Sequence, residues 1–237
     1  MRLRSPSWRS LLTVVRMRVA VAGGHGKVAR HLSRVLAARG DVPIALIRSL
    51  NQVDDVTSDG AEAVVLDLER CNVADVAGAI TGAEAVVFAA GAGPGSGAGR
   101  KDSVDRAAAA LLAEAAEQAG VSRYVLISSM GVDTEPPAGT DDVFAAYLRA
   151  KAASERDLQE RELDWTILRP GRLTDDEPTG QVLLEESVPR GAVPRQDVAA
   201  VVASLLEQPA TAGLTLELVS GVVPVDAAVV AATERTD

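Results

Sequence analysis

The sequence predicts an α/β fold: a doubly wound, mostly parallel sheet with helices on both faces. Three observations carry that expectation. From Met17 onward, short runs of Val, Ala, Ile and Leu alternate with longer helical patterns, and such alternation builds parallel sheets through right-handed crossovers. The runs are apolar almost throughout, as strands covered on both faces are. Hydrophobic residues make up 47% of the 237-residue chain but aromatics only 3%, so the core is aliphatic, and the length suffices for one well-buried domain.

The elements follow in order. "RVAVAG" (18–23) is the first strand, and it turns through glycines into a helix over 27–39. "VPIALIR" (42–48) and "EAVVLDL" (62–68) are the second and third strands, followed by a helix over 72–80. "EAVVFAAG" (84–91) is the fourth strand. The glycine-rich loop "GAGPGSGAG" (91–99) leads from it to a helix over 101–119, whose Ala/Leu stripe reads as a sheet-facing surface or a dimer face. "RYVLISS" (123–129), a helix over 141–162 and "DWTILRP" (164–170) come next. Polar "GRLTDDEPTG" (171–180) opens a small substrate-side lobe over about 171–195. A helix over 195–207 and the strand "LTLELVSG" (214–221) close the pattern, and "VDAAVVAATERTD" reads as an edge-covering helix or a frayed tail. The first sixteen residues are basic and hold too short an apolar run for a signal peptide. They read as a disordered or mis-assigned extension, leaving a single domain over 17–237.

Composition narrows the function. A formal net charge of −9 argues against binding nucleic-acid phosphates, and no run reaches the ~18–20 apolar residues that cross a membrane. Cys71 is the only cysteine, which excludes an internal disulfide and a cysteine-cluster metal site. His25 and His31 lack a partnering cluster, so no metal is expected. The expectation is a cytoplasmic protein, monomer or homodimer, acting on a small molecule.

The chemistry starts at "VAVAGGHGKVARHL", where Gly23, Gly26 and Ala29 stand as G-x-x-G-x-x-A between the first strand and its helix. The first glycine permits a tight turn, the second lets the backbone approach a diphosphate at the helix N-terminus, and the small Ala29 allows close packing. In the first of a series of alternating units this pattern marks a dinucleotide site, with Gly23, Gly24, His25, Gly26, Lys27 and Val28 around the phosphates. Where an NAD-selective site carries an acid, the second strand ends in Arg48. A guanidinium there suits a 2′-phosphate, with Lys27 able to reach phosphate as well, so NADP(H) is preferred over NAD(H). The other reading of Arg48 is a solvated strand end. Asp67 and Leu68 end the third strand, placed to receive adenine, and Ala89, Ala90 and Gly91 end the fourth, leaving room for the adenosine.

Taken in order, "AGGHGKVARHL", "VLDL", "VVFAAG", "RYVLISSMG", "YLRAK", "LDWTILRPGRLTDD" and "VPRQDVAAVV" resemble an atypical short-chain dehydrogenase/reductase, in the branch related to sugar epimerases and NmrA-type regulators. The resemblance runs from Met17 to about Gly221 and implies a Rossmann-like fold. It also implies a catalytic set: Tyr147 and Lys151, four apart on one helix, with Ser129 (favoured over Ser128) after the fifth strand. Asp105 stands where the wider family has Asn and helps to position the lysine through water. Ser128, Lys151, Pro170 and Gly171 are implied at the nicotinamide half. The chemistry is sensible in itself. A phenol with an ordinary pKa of ~10 exchanges protons poorly at neutral pH until a nearby ammonium favours its charged form, and a serine hydroxyl steadies the reacting oxygen. Without the resemblance, Tyr147 reads as a packing ring and Lys151 as a solvated helix residue. Two functions follow: an NADP(H)-dependent oxidoreductase or epimerase-like enzyme on a small carbonyl, quinone or flavin-type substrate, or a non-catalytic NADP(H)-binding redox sensor of the NmrA type.

Overall fold

The computed structural model describes residues 16–91, 93, 97–134 and 139–234. Apart from Arg16, the expected extension over 1–16 lies outside the described residues, as does much of the glycine-rich loop. The strands are β1 (Arg18–Ala22), β2 (Val42–Ile47), β3 (Glu62–Val65), β4 (Ala85–Phe88), β5 (Arg123–Ile127), β6 (Asp164–Pro170), β7 (Arg172–Thr174), β8 (Gln181–Glu185), β9 (Ala192–Pro194), β10 (Leu214–Ser220) and β11 (Val223–Pro224). The helices are α1 (Lys27–Arg39), α2 (Val53–Ser58), α3 (Val73–Ile80), α4 (Ala98–Arg100), α5 (Ala108–Ala119), α6 (Asp142–Gln159), α7 (Arg195–Leu206) and α8 (Val225–Glu234), with a π-helical stretch at Lys101–Ala107 joining α4 to α5.

The main sheet runs in the order β11-β8-β10-β6-β5-β4-β1-β2-β3. It is parallel from β10 through to β3, and β8 and β11 close one side as antiparallel strands. This is the doubly wound, Rossmann-like arrangement: the winding reverses between β1 and β4, so their carboxyl ends open a crevice for a ligand. Strand parity builds both cores. Val19, Val21, Ala85 and Val87 face α1, α7 and α8, whereas Ala20, Ala22, Val86 and Phe88 face α3, α5 and α6.

The structure refines several expected boundaries. β3 stops at Val65 and β4 at Phe88, so Asp67 and Leu68, and Ala89 to Gly91, follow their strands rather than end them. The helix expected over 101–119 is regular only from Ala108. α2 was not foreseen, because "VDDVTS" buries only Val56 and shows no helical periodicity. In the stretch 171–195, β7 and β9 pair in parallel as a separate sheet, while β8 joins the main sheet because its alternate residues Val182 and Leu184 are buried in the α7–α8 core. Of the carboxyl-terminal segment, the described residues Val225–Glu234 form the helix α8.

Candidate functional site

The turn from β1 into α1 leaves no room for side chains. Gly23 has φ +75°, and a Cβ there would lie 2.6 Å from the Cα of Ala90. A Cβ on Gly24 would come within 2.6 Å of the Ala45 Cβ, and the Gly24 N–H donates to the Leu46 carbonyl at 3.0 Å. Gly26 caps α1 without a side-chain hydrogen bond, and the first turn of α1 carries no acid. The helix thus meets the crevice with free N–H donors, a geometry suited to an anionic phosphate. The glycine cradle therefore fits a dinucleotide.

Beneath it lies a cavity of about 310 Å³. Gly23, His25, Gly26, Arg48, Asp67, Leu68, Ala89, Ala90 and Gly91, expected from the sequence at the cofactor, all line it. Gln52, Glu69, Arg100 and Val104 line it too and were not foreseen. Arg48 forms no ion pair among the described residues. Glu69 is held at both oxygens: Arg100 Nη2 donates to Oε2 at 2.9 Å and Ser103 Oγ donates to Oε1 at 2.7 Å. Those two hydrogen bonds, Arg100's first, hold the Glu69 carboxyl below the usual carboxylate range. His25 pairs with Asp55 at 2.7 Å, fixing the glycine loop to α2.

Other expected residues lie outside the cavity. The Val28 side chain is buried in the α1 core. Lys27 reaches Asp175 of the β7–β8 loop at 2.5 Å, and Arg195 at the start of α7 holds the other oxygen at 2.7 Å. Pro170 ends β6, its carbonyl accepting from the Met130 N–H at 3.1 Å. A Cβ on Gly171 would fall 2.5 Å from the Gly191 carbonyl oxygen, so the crossing of two chain segments accounts for that glycine.

Of the expected catalytic set, Lys151 and Asp105 meet at the carboxyl ends of β4 and β5, and Ser128 and Ser129 follow β5. Lys151 is only 3% exposed. Its Nζ donates to the Ile127 carbonyl at 2.9 Å, lies 3.4 Å from Asp105 Oδ1, and sits 5.4 Å from the centre of the Phe88 ring. This is a direct ion pair where the family resemblance implied a water between them, and it removes the reading of Lys151 as a solvated helix residue. The π-helical stretch carries Asp105, and such stretches, rare overall, are frequent at functional sites. Asp105 also adjoins the cavity, since a Cβ on Gly91 would lie 3.3 Å from its Oδ1. Tyr147, one turn before Lys151, is half-buried and stacks on Phe144 with ring centroids 5.9 Å apart. Ser129 Oγ donates weakly to the Met130 carbonyl at 3.3 Å. The Ser128 hydroxyl is buried without a hydrogen-bond partner among the described residues.

Comparison with known proteins agrees with this geometry. A family described as NAD(P)H-binding matches residues 23–209. The UPF0659 protein YMR090W of Saccharomyces cerevisiae is 35% identical, over 89% of this chain and 96% of its own. A Bacillus halodurans protein provisionally assigned as an NAD-dependent epimerase/dehydratase superposes with a TM-score of 0.84 at 35% identity, covering 91% of this chain and 99% of that one. The oxidoreductase ylbE of Lactococcus lactis gives 0.82 at 26% identity, covering 92% and 97%. The cradle, the crevice and the family match agree: the chain belongs to the NAD(P)H-binding family and is an atypical short-chain dehydrogenase/reductase.

Proposed function

We propose that the protein is an NADP(H)-dependent oxidoreductase or epimerase-like enzyme acting on a small carbonyl, quinone or flavin-type substrate. The observation that carries the cofactor preference is Arg48, which lines the adenosine end of the cavity without an ion pair among the described residues, while the one new carboxylate there, Glu69, is already held by Arg100. When bound, the nicotinamide exchanges hydride with the substrate carbon. The chain's own residues do the rest. The open N-terminus of α1 holds the diphosphate, Tyr147 passes a proton between its hydroxyl and the substrate oxygen, and Ser129 orients that oxygen. Ser128, with its free hydroxyl, is the alternative in that role. Lys151 brings a fixed positive charge one turn from the phenol, and Asp105 and the Ile127 carbonyl position it. The short stretch between β7 and β9 supports a small substrate over a nucleotide-sugar. A single cysteine suits a reducing cytoplasm.

One observation favours a second reading, a non-catalytic NADP(H) sensor: the Lys151 ammonium is satisfied by the fold itself and needs no substrate. Titrating the purified chain with NADPH, NADP⁺ and NADH while following nicotinamide fluorescence tests both. Tight NADPH binding that Arg48→Ala weakens, with NADH little affected, supports the NADP(H) reading of the cavity and justifies an acceptor screen, in which turnover separates the enzyme from the sensor. NADP⁺ binding far tighter than NADPH, without turnover, moves the reading to the sensor. No binding of any of the three sinks both.

A further inference from the structure

We propose that Arg100 sets the cofactor preference by masking Glu69, a carboxylate that would otherwise receive the ribose hydroxyls of NAD(H) and repel a 2′-phosphate. The inference rests on the NADP(H) reading above and deepens it. Arg48, Glu69 and Arg100 line the same cavity. Each Glu69 oxygen accepts a hydrogen bond, one from Arg100 at 2.9 Å and one from Ser103 at 2.7 Å, so the guanidinium offsets the carboxylate's charge and a ribose hydroxyl must compete for the acceptor directions that remain. Arg48 is close enough for its charge to act on Glu69 as well. Arg48, Arg100 and Glu69 therefore act as one electrostatic unit; Asp67, whose charge also reaches Arg100, is offset by Arg70 at 3.5 Å, so the balance stays positive for a phosphate.

Removing Arg100 changes the sign of the choice. Arg48 and Glu69 then cancel, and a freed carboxylate near a ribose is the arrangement that selects the unphosphorylated cofactor. Asp67 lines the cavity too, but its Oδ1 accepts the Glu69 N–H at 3.1 Å and Arg70 lies 3.5 Å from Oδ2. The adenine role expected of Asp67 is common to both cofactors, so it does not discriminate. The mask is also part of the backbone design. Arg100 ends α4 and Ser103 belongs to the π-helical stretch that carries Asp105, so the turn that aims Asp105 at Lys151 also covers Glu69.

The test is a two-residue cycle: Kd values for NADPH and NADH with wild type, Arg100→Gln, Glu69→Gln and the double variant. Arg100→Gln is expected to weaken NADPH about tenfold or more while NADH holds or tightens, the size of one well-placed charge effect. Adding Glu69→Gln is expected to return NADPH to within about threefold of wild type, because the charge that Arg100 masks is then gone. Equal weakening of both cofactors in Arg100→Gln overturns the proposal, since it marks a role in folding the loop. Loss of NADPH affinity that persists in the double variant overturns it too, since Arg100 then meets the phosphate directly. A wild-type chain that prefers NADH overturns the cofactor reading and the mask with it. Wild-type preference for NADPH that is unchanged in Arg100→Gln overturns the mask alone.

Discussion

Lys151 and Asp105 form a buried pair, and a buried charge that loses its partner is costly. Asp105→Ala is expected to destabilise the fold by about 3–5 kcal/mol, read as a fall in thermal midpoint of roughly 6–20 °C for a chain of this size. Adding Lys151→Met to that variant should recover much of the loss. Tyr147 calls for a different measurement. Tyr147→Phe keeps the stack on Phe144 and removes only the hydroxyl, so turnover with an accepted substrate should fall by about 10²–10⁴-fold while NADPH affinity stays within about twofold. A fall in cofactor affinity of the same size would remove Tyr147 from proton transfer. The spacing of Tyr147 and Lys151 was visible in the sequence because a helix puts residues four apart on one face. Glu69, Arg100 and Asp175 were not. Arg100 meets Glu69 across 31 residues and Lys27 meets Asp175 across 148, and neither periodicity nor motif reports such meetings.

At the level of elements, α1 is tied to the end of α2 chiefly by one carboxylate, with Arg30 also 3.5 Å from Asp55 of α2. Asp59, its side chain 4% exposed, accepts from Arg30 Nε at 2.5 Å and Arg34 Nε at 2.6 Å. Burial alone would raise its carboxyl, but the hydrogen bonds from Arg30 and Arg34 outweigh burial and hold it below the ordinary range. A carboxyl depressed in the folded state adds stability above its unfolded pKa, and that stability is lost as pH falls through the folded value. Asp59→Asn should therefore melt below wild type at pH 7, and the gap should close in melts taken progressively below about pH 4. A gap that stays constant down to pH 2 would show that the charge is not what ties the helices. Regular elements were legible where apolar residues repeat: α1 begins and ends where the sequence places it. The π-helical stretch was not, because "KDSVDRA" has no composition that distinguishes it from ordinary helix.

The whole sheet was legible as a class because parallel strands covered on both faces must be continuously apolar. Its antiparallel edge was not: β11 has only two residues, and β8, as long as β1, follows the polar stretch 171–180 and buries only alternate residues. A crevice that gathers the ends of β1, β2, β3 and β4 makes the cofactor a cross-brace. NADPH at a hundred times its Kd should add about 2.7 kcal/mol to stability, a rise in melting midpoint of roughly 5–10 °C, with NADH giving less at equal concentration. The bridge from Asp175 to Lys27 and Arg195 has a consequence of another kind. Thr179 and Gly180 N–H groups donate to Asp197 at 3.0 Å, so the β7–β8 loop is pinned at its far end and Asp175 works as a tethered counter-ion. Lys27, the first residue of the helix whose N-terminus meets the diphosphate, is already paired with an anion, so few salt ions need leave that cation when a cofactor arrives. Cofactor affinity should then fall gently as NaCl is raised, and Asp175→Asn should bind more tightly at low salt yet fall more steeply, as a site with unpaired cations does.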